Sequence, residues 1–378
     1  MKRSAWDWTS AAPGRCLAAA LAVPLLAAAA GAPVEILTRP ADGRGGRPLT
    51  EVVRSMKFPQ ATLTSTCRVD GGAFVDGGGL GLEFGRLPGT NGGWSLWSFF
   101  QARLRSGVTV PLASEPTVFQ ACVSDGAVIG DLVWEVPGKT GETQTVSLRM
   151  IQEPQDPDWL YLRVDVAVTG RLDSLSFGAF PGNPRSAVFP KEGERWIATR
   201  DQRHCLSRAP FNAPAGTDAM VWHNVYAYEN TGCILVFAPE DFSGVTVTGD
   251  YGVTAKLLPA PGKTTFDVAI GQYTAEASAS FLPRFFGEQA DAVRERLKNI
   301  EWNPRPPPER FARQSVLTVK LLSGLGVSGD AFRRDFEALQ AAYRQAEAVS
   351  DSRGALSAAN KLDELNSRIA DFGLNELK

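Results

Sequence analysis

Histidine is nearly absent from this chain. Only His204 and His223 occur in 378 residues, so no histidine-rich ligand set exists and a zinc enzyme has nothing to build on. Cysteine is scarce as well, with five in all, and no Cys-x-x-Cys pair, which removes zinc-ribbon and dithiol redox readings. No Gly-x-Ser-x-Gly is present, so an α/β-hydrolase elbow is excluded. The one glycine cluster, Gly77-Gly78-Gly79-Leu80-Gly81, misses dinucleotide spacing because its third glycine comes one position late, at Gly85. Without a following helix signal, it reads as a bulge or tight turn and no cofactor is expected. Long basic runs are missing too, which argues against nucleic acid and anionic lipid as partners. Beyond the first thirty residues no apolar run reaches the ~20 residues of a membrane-spanning helix.

What is present begins at the N-terminus. Lys2, Arg3 and Arg15 precede an uncharged Leu/Ala/Val run from Leu17 to Ala30, ending in the small residues Ala28, Ala30 and Ala32. That is the layout of a cleaved secretory signal over residues 1–30, with cleavage after Ala30. It predicts an exported protein, periplasmic or extracellular, with no membrane contact once the signal is gone. The remainder carries 36 basic and 40 acidic residues, a net charge of −4. Four cysteines remain, and an even number in an oxidising compartment predicts disulfides. The pairs nearest along the chain are Cys67–Cys122 and Cys205–Cys233.

Residues 34–287 read as many short strands. Val118–Val123, Val128–Trp134, Thr143–Ile151, Trp159–Val168 and Thr264–Ile270 are examples, separated by turn formers such as Pro137-Gly138 and Pro261-Gly262. Leu160 to Val166 alternates, placing its polar side chains on one face. At least twelve strands without a βαβ rhythm predict a mainly β protein, a large antiparallel β-sandwich. Residues 288–378 change to helical periodicity, forming a C-terminal α-helical hairpin or small bundle. Phe332, Phe336, Leu339, Tyr343 and Ala346 recur at heptad steps, as do Ala358, Leu362, Leu365, Ile369 and Phe372. Ser328 or Asp330 is placed to cap the first stripe, and Asp351 to Gly354 forms the turn between them. These stripes either pack on each other or let residues 309–378 dock a protein partner or a second copy.

The densest polar and aromatic stretch spans residues 200–229 and holds both histidines. His223 or His204, with Asp201 or Asp218 as the carboxylate, has the chemistry for general acid–base work on a sugar. His223 and Glu229 cannot pair directly, since six strand residues span about 20 Å. Trp222, Asn224, Tyr226 and Tyr228 alternate with His223, and flat rings beside an amide suit the C–H face and hydroxyls of a glycan. Trp94 and Trp97, after a glycine-rich loop, form a second aromatic pair for the same ligand. The acidic stretch Glu153, Asp156 and Asp158 does not follow EF-hand spacing, so no metal is assigned to it. Two functions fit: a secreted or periplasmic carbohydrate-interacting sandwich, and a non-enzymatic envelope or surface assembly protein that uses its helical tail.

Overall fold

A computed structural model describes residues 34–43, 46–84, 94–96, 99–124, 126–138, 141–167, 172–181, 195–206, 209–224, 232–249, 253–273, 278–306, 308–325 and 329–376. Twenty strands lie among them. The first four form a meander: β1 (Val34–Asp42), β2 (Pro48–Lys57), β3 (Ala61–Asp70) and β4 (Ala73–Phe84). Short strands follow, β5 (Trp94–Leu96), β6 (Phe100–Leu104) and β7 (Thr109–Val110). A second meander comprises β8 (Val118–Ser124), β9 (Ala127–Pro137), β10 (Thr143–Gln152) and β11 (Trp159–Val166). Next come β12 (Leu172–Pro181), β13 (Arg195–Ala198), β14 (Arg203–Cys205), β15 (Phe211–Asn212) and β16 (Ala219–Asn224). The set closes with β17 (Gly232–Phe237), β18 (Phe242–Gly249), β19 (Val253–Pro259) and β20 (Thr265–Tyr273).

These strands make two antiparallel layers. The first runs β1-β2-β3-β4-β5-β12-β19-β18-β15, with β6 and β7 attached beside β12. The second runs β14-β13-β16-β17-β20-β11-β10-β9-β8. Alternate residues of both layers meet in one large core, including Leu82, Phe100 and Phe177 from the first and Trp134, Leu148, Leu162 and Phe266 from the second. Phe100 stacks on Trp134 with ring centroids 6.0 Å apart. The protein is therefore the mainly β, antiparallel sandwich that its strand pattern predicts, followed by helices. The glycine cluster sits inside β4, where Thr66 and Cys67 pair with Gly79 and Gly77 and leave Gly78 as a bulge. Gly78 has φ +78° and any Cβ would lie 2.1 Å from the Pro111 carbonyl oxygen, so only glycine fits there.

The helical part starts earlier than its periodicity suggests. Helix α1 (Ser278–Arg284) passes through a π turn, Phe285–Gln289, into α2 (Ala290–Lys298). Phe281, Phe285, Val293 and Leu297 pack on the outer face of the second layer, against Ile234, Val236 and Ala269. Helices α3 (Pro308–Leu325), α4 (Asp330–Ala348) and α5 (Ser352–Glu376) complete the chain. Both heptad stripes pack into one cluster around Phe336, Leu362, Leu365 and Ile369, with Phe311 stacked on Tyr343 at 3.9 Å. The N-cap of α4 is Gly329, without a side-chain cap; Asp330 is already the first helical residue and Ser328 lies outside the described residues. Among the described residues no helix is long and apolar enough to cross a membrane.

The expected disulfides do not form: Cys67, Cys122, Cys205 and Cys233 are free thiols. Strand order explains this for Cys205 and Cys233, on β14 and β17, which are three strand spacings apart. That is about 14 Å, twice the ~7 Å a disulfide allows between Cα atoms. Cys67 packs with Val52 and Val69 in the first layer, whereas Cys122 points to the outer face of the second. Proximity along the chain carries no information once strands are shuffled between layers.

Candidate functional site

On the outer face of the second layer, one row of cross-strand neighbours is polar from end to end. Gln120 on β8 stands opposite Asp131 on β9, which faces Arg149 on β10. Arg149 in turn faces Arg163 on β11, which faces Asp267 on β20. Strand alternation dictates this: the same residues that send Leu132, Leu148, Leu162 and Val268 into the core send their neighbours outward. Two adjacent arginines are neutralised by the acids at either side. Arg149 grips Asp131 through two bonds of 2.6 and 2.8 Å, and Arg163 grips Asp267 through 2.7 and 2.6 Å. Such bidentate pairs are directional as well as strong.

The chain after α2 roofs the middle of this row. Arg149 Nη1 donates to the Trp302 carbonyl and, over 2.9 Å, to Asn303 Oδ1. The Arg163 guanidinium lies 4.7 Å from the Trp302 ring centre. Arg149 and Asp131 are consequently buried, with side chains only 3% and 5% exposed. A buried ion pair offers little net stability compared with apolar packing, so its place under a roof marks the row as a candidate site.

At its Gln120 end the row opens into a cavity of about 510 Å³ between β8–β9 and the α4–α5 turn. The sheet contributes Val118, Gln120, Asp131 and Val133; the helices contribute Leu339, Gln345, Arg353, Ser357 and Lys361, among others. The turn is shaped by three local features. Ser350 takes a left-handed φ of 56°. Asp351 Oδ1 accepts the Gly354 N–H over 3.0 Å, capping α5. A Cβ on Gly354 would sit 2.4 Å from Asp351 Oδ2 and 3.0 Å from Ala346 Cβ, so the close approach requires glycine. Arg353 Nη1 lies 3.8 Å from Asp131 Oδ1, with its side chain 33% exposed. Burial, and then the neighbouring Arg149 guanidinium, push Arg353 below the usual arginine value. Cys122, one step along β8, is pushed up to about 12 by burial and by Asp131, which leaves it an inert thiol.

The residues singled out in the sequence fall elsewhere. Trp222 is 1% exposed and belongs to the core between the layers, opposite Cys233, so its ring presents no face to a ligand. His223 and Asn224 pair with Trp196 and Arg195 through the β16 backbone, and Trp94 lies on β5. The side chains of His223, Asn224 and Trp94, and all of Trp97, Tyr226 and Tyr228, lie outside the described residues. His204 is half-buried on β14, its Nε2 donating to the Ala209 carbonyl over 3.0 Å and its ring 5.3 Å from Phe211. Asp201 is exposed on the turn before β14. Asp218 is held by Arg200 at 3.1 and 3.0 Å and by Arg294 at 2.6 Å, which ties α2 to the sheet. In the acidic stretch, Arg296 binds Glu153 and the Tyr161 hydroxyl donates to Asp156. Asp131 and Arg149 were missed, although charged residues inside the apolar strands Val128–Trp134 and Thr143–Ile151 are a visible signal.

No family model and no curated protein matches the chain. Among solved structures it is similar to an α-N-acetylgalactosaminidase from Bifidobacterium bifidum, with 11% identity over 70% of this chain and a TM-score of 0.44. The chain spans 41% of that protein's length. A putative aldose 1-epimerase from Klebsiella pneumoniae is 9% identical, with 68% of this chain and 88% of that one covered and a TM-score of 0.39. A putative mutarotase from Salmonella typhimurium is 8% identical, with 63% and 97% covered and a TM-score of 0.33. All three names refer to sugar chemistry, but likeness at these scores does not carry function over to this chain.

Proposed function

We propose that this protein is exported and binds carbohydrate in the cavity between β8–β9 and the α4–α5 turn. The observation that carries the reading is the convergence of an amide, a carboxylate and a guanidinium, Gln120, Asp131 and Arg353, beside apolar side chains in one 510 Å³ space. Small-molecule sites typically occupy ~300–1,000 Å³ and combine apolar walls with a few placed polar groups. Sugar hydroxyls both donate and accept, so they suit a carboxylate flanked by amide and guanidinium donors. Val118, Val133 and Leu339 supply apolar surface for the C–H side of a ring. Asp131 is held rigid by Arg149, and a preoriented acceptor loses little entropy on binding. The role is binding; no reaction is assigned.

Export rests on the residue 1–30 layout alone, because the free thiols add nothing to it. The test is a glycan array probed with the folded chain, followed by calorimetric titration of any hit. Binding that Gln120→Leu weakens about tenfold, without loss of thermal stability, is the expected result. Failure of every glycan to bind overturns the reading. N-terminal sequencing of the secreted chain checks export, with Gly31 expected first.

A further inference from the structure

The charges around the cavity do not balance locally. Asp131 is taken by Arg149, whose Nε and Nη2 reach its two oxygens at 2.6 and 2.8 Å. Asp351 is taken by the α5 N-terminus, accepting the Gly354 N–H. Arg149, Arg353 and Lys361 thus face the two carboxylates Asp131 and Asp351, which leaves one positive charge in excess and neither Arg353 nor Lys361 in a close ion pair with a described residue. Among the described residues Arg353 comes no closer to a carboxylate than 3.8 Å, to an Asp131 oxygen that Arg149 already occupies. Lys361, exposed and on the same helix, has no carboxylate partner among the described residues. Eight helical residues separate the two, about 12 Å along the axis.

We propose that the sugar bound in this cavity is acidic, with its carboxylate or sulfate held by Arg353 and Lys361 reaching it from the rim. This rests on the carbohydrate reading and deepens it. An arginine whose nearest carboxylate is already gripped by another arginine gains most from a ligand that brings its own anion. Its planar fork matches carboxylate and sulfate oxygens in pairs. Burial and the Arg149 charge both disfavour the ionised Arg353, and an anion beside it relieves that strain. Lys361, as an exposed point charge, adds attraction that salt screens.

The experiment is calorimetric titration of the full chain with sugar pairs that differ only in charge. Suitable pairs are glucuronate and glucose, oligogalacturonate and its methyl ester, and a heparin-type disaccharide with and without sulfate. The acidic member is expected to bind at least about tenfold tighter, a difference of about 1.4 kcal/mol. That advantage should shrink as ionic strength rises from ~0.01 to ~0.15 M. Arg353→Gln should erase the preference, so that the acidic and neutral members bind that variant equally, and Lys361→Met should reduce it in part. Should Arg353→Gln melt early, the exposed Lys361 variant carries the test. Equal binding of both members overturns the inference and leaves the carbohydrate reading standing. No binding by either member of any pair overturns the inference, and the carbohydrate reading falls with it only if the glycan array is empty too. Inorganic sulfate binding as tightly as the acidic sugars, and competing with them, overturns the sugar part.

Discussion

At the residue scale, what decides a side chain's chemistry here is its burial, whichever face of the strand it occupies. Cys122 and Cys233 show it: burial raises each thiol from 9.0 to about 12, although one lies under the helices and the other between the layers. Below about pH 9 these groups are protonated in folded and unfolded chains alike. Above it the unfolded chain ionises them and the folded chain does not, so their contribution to stability falls as pH rises from about 9 towards 12. Urea unfolding across that range should show the loss, and Cys122→Ala or Cys233→Ala should diminish it. Non-reduced, urea-denatured protein lacking residues 1–30 should titrate four thiols; a count of zero or two would restore the disulfides.

At the element scale, the two heptad stripes do what their spacing implies by meeting each other and α3. Leu362 is fully buried in that cluster, whereas Val316 on α3 is 56% exposed. Leu362→Ala should therefore cost about 2–5 kcal/mol, while Val316→Ala should stay within about 0.5 kcal/mol. Denaturant titration of both variants checks the contrast, and equal effects would mean that the helices pack by another face. The strands β8 to β11 and β20 obey the same logic with a period of two. Their outward residues divide into an apolar row under α1 and α2 and a polar row under the Trp302 segment. The alternation of Leu160 to Val166 was legible in the sequence and holds, with Arg163 and Asp165 on the outer face.

For the whole molecule, Asp131 and Arg149 sit where sandwich and helices meet. Removing one charge leaves the other stranded under the roof. Asp131→Asn is expected to destabilise by about 3–5 kcal/mol, while Asp131→Leu with Arg149→Met recovers most of that. Calorimetric melting of the three proteins measures it, and a harmless single variant would show that water reaches Arg149. The double variant should fold and yet lose sugar binding, which separates the pair's part in the site from its part in stability.

The sequence alone determined the mainly β sandwich, the helical tail with its stripes, the glycine bulge and the alternation that puts Arg163 outward. Each is set by local steric rules or a short period, so a window of a few residues contains the answer. Tertiary structure alone decided the site. Gln120, Asp131 and Arg149 become neighbours through meander register, and Arg353 reaches them only because α5 returns to the β8 edge. It also decided against Trp222 as a ligand-facing ring and against both cysteine pairs, since strand order and face are properties of the assembled sheets.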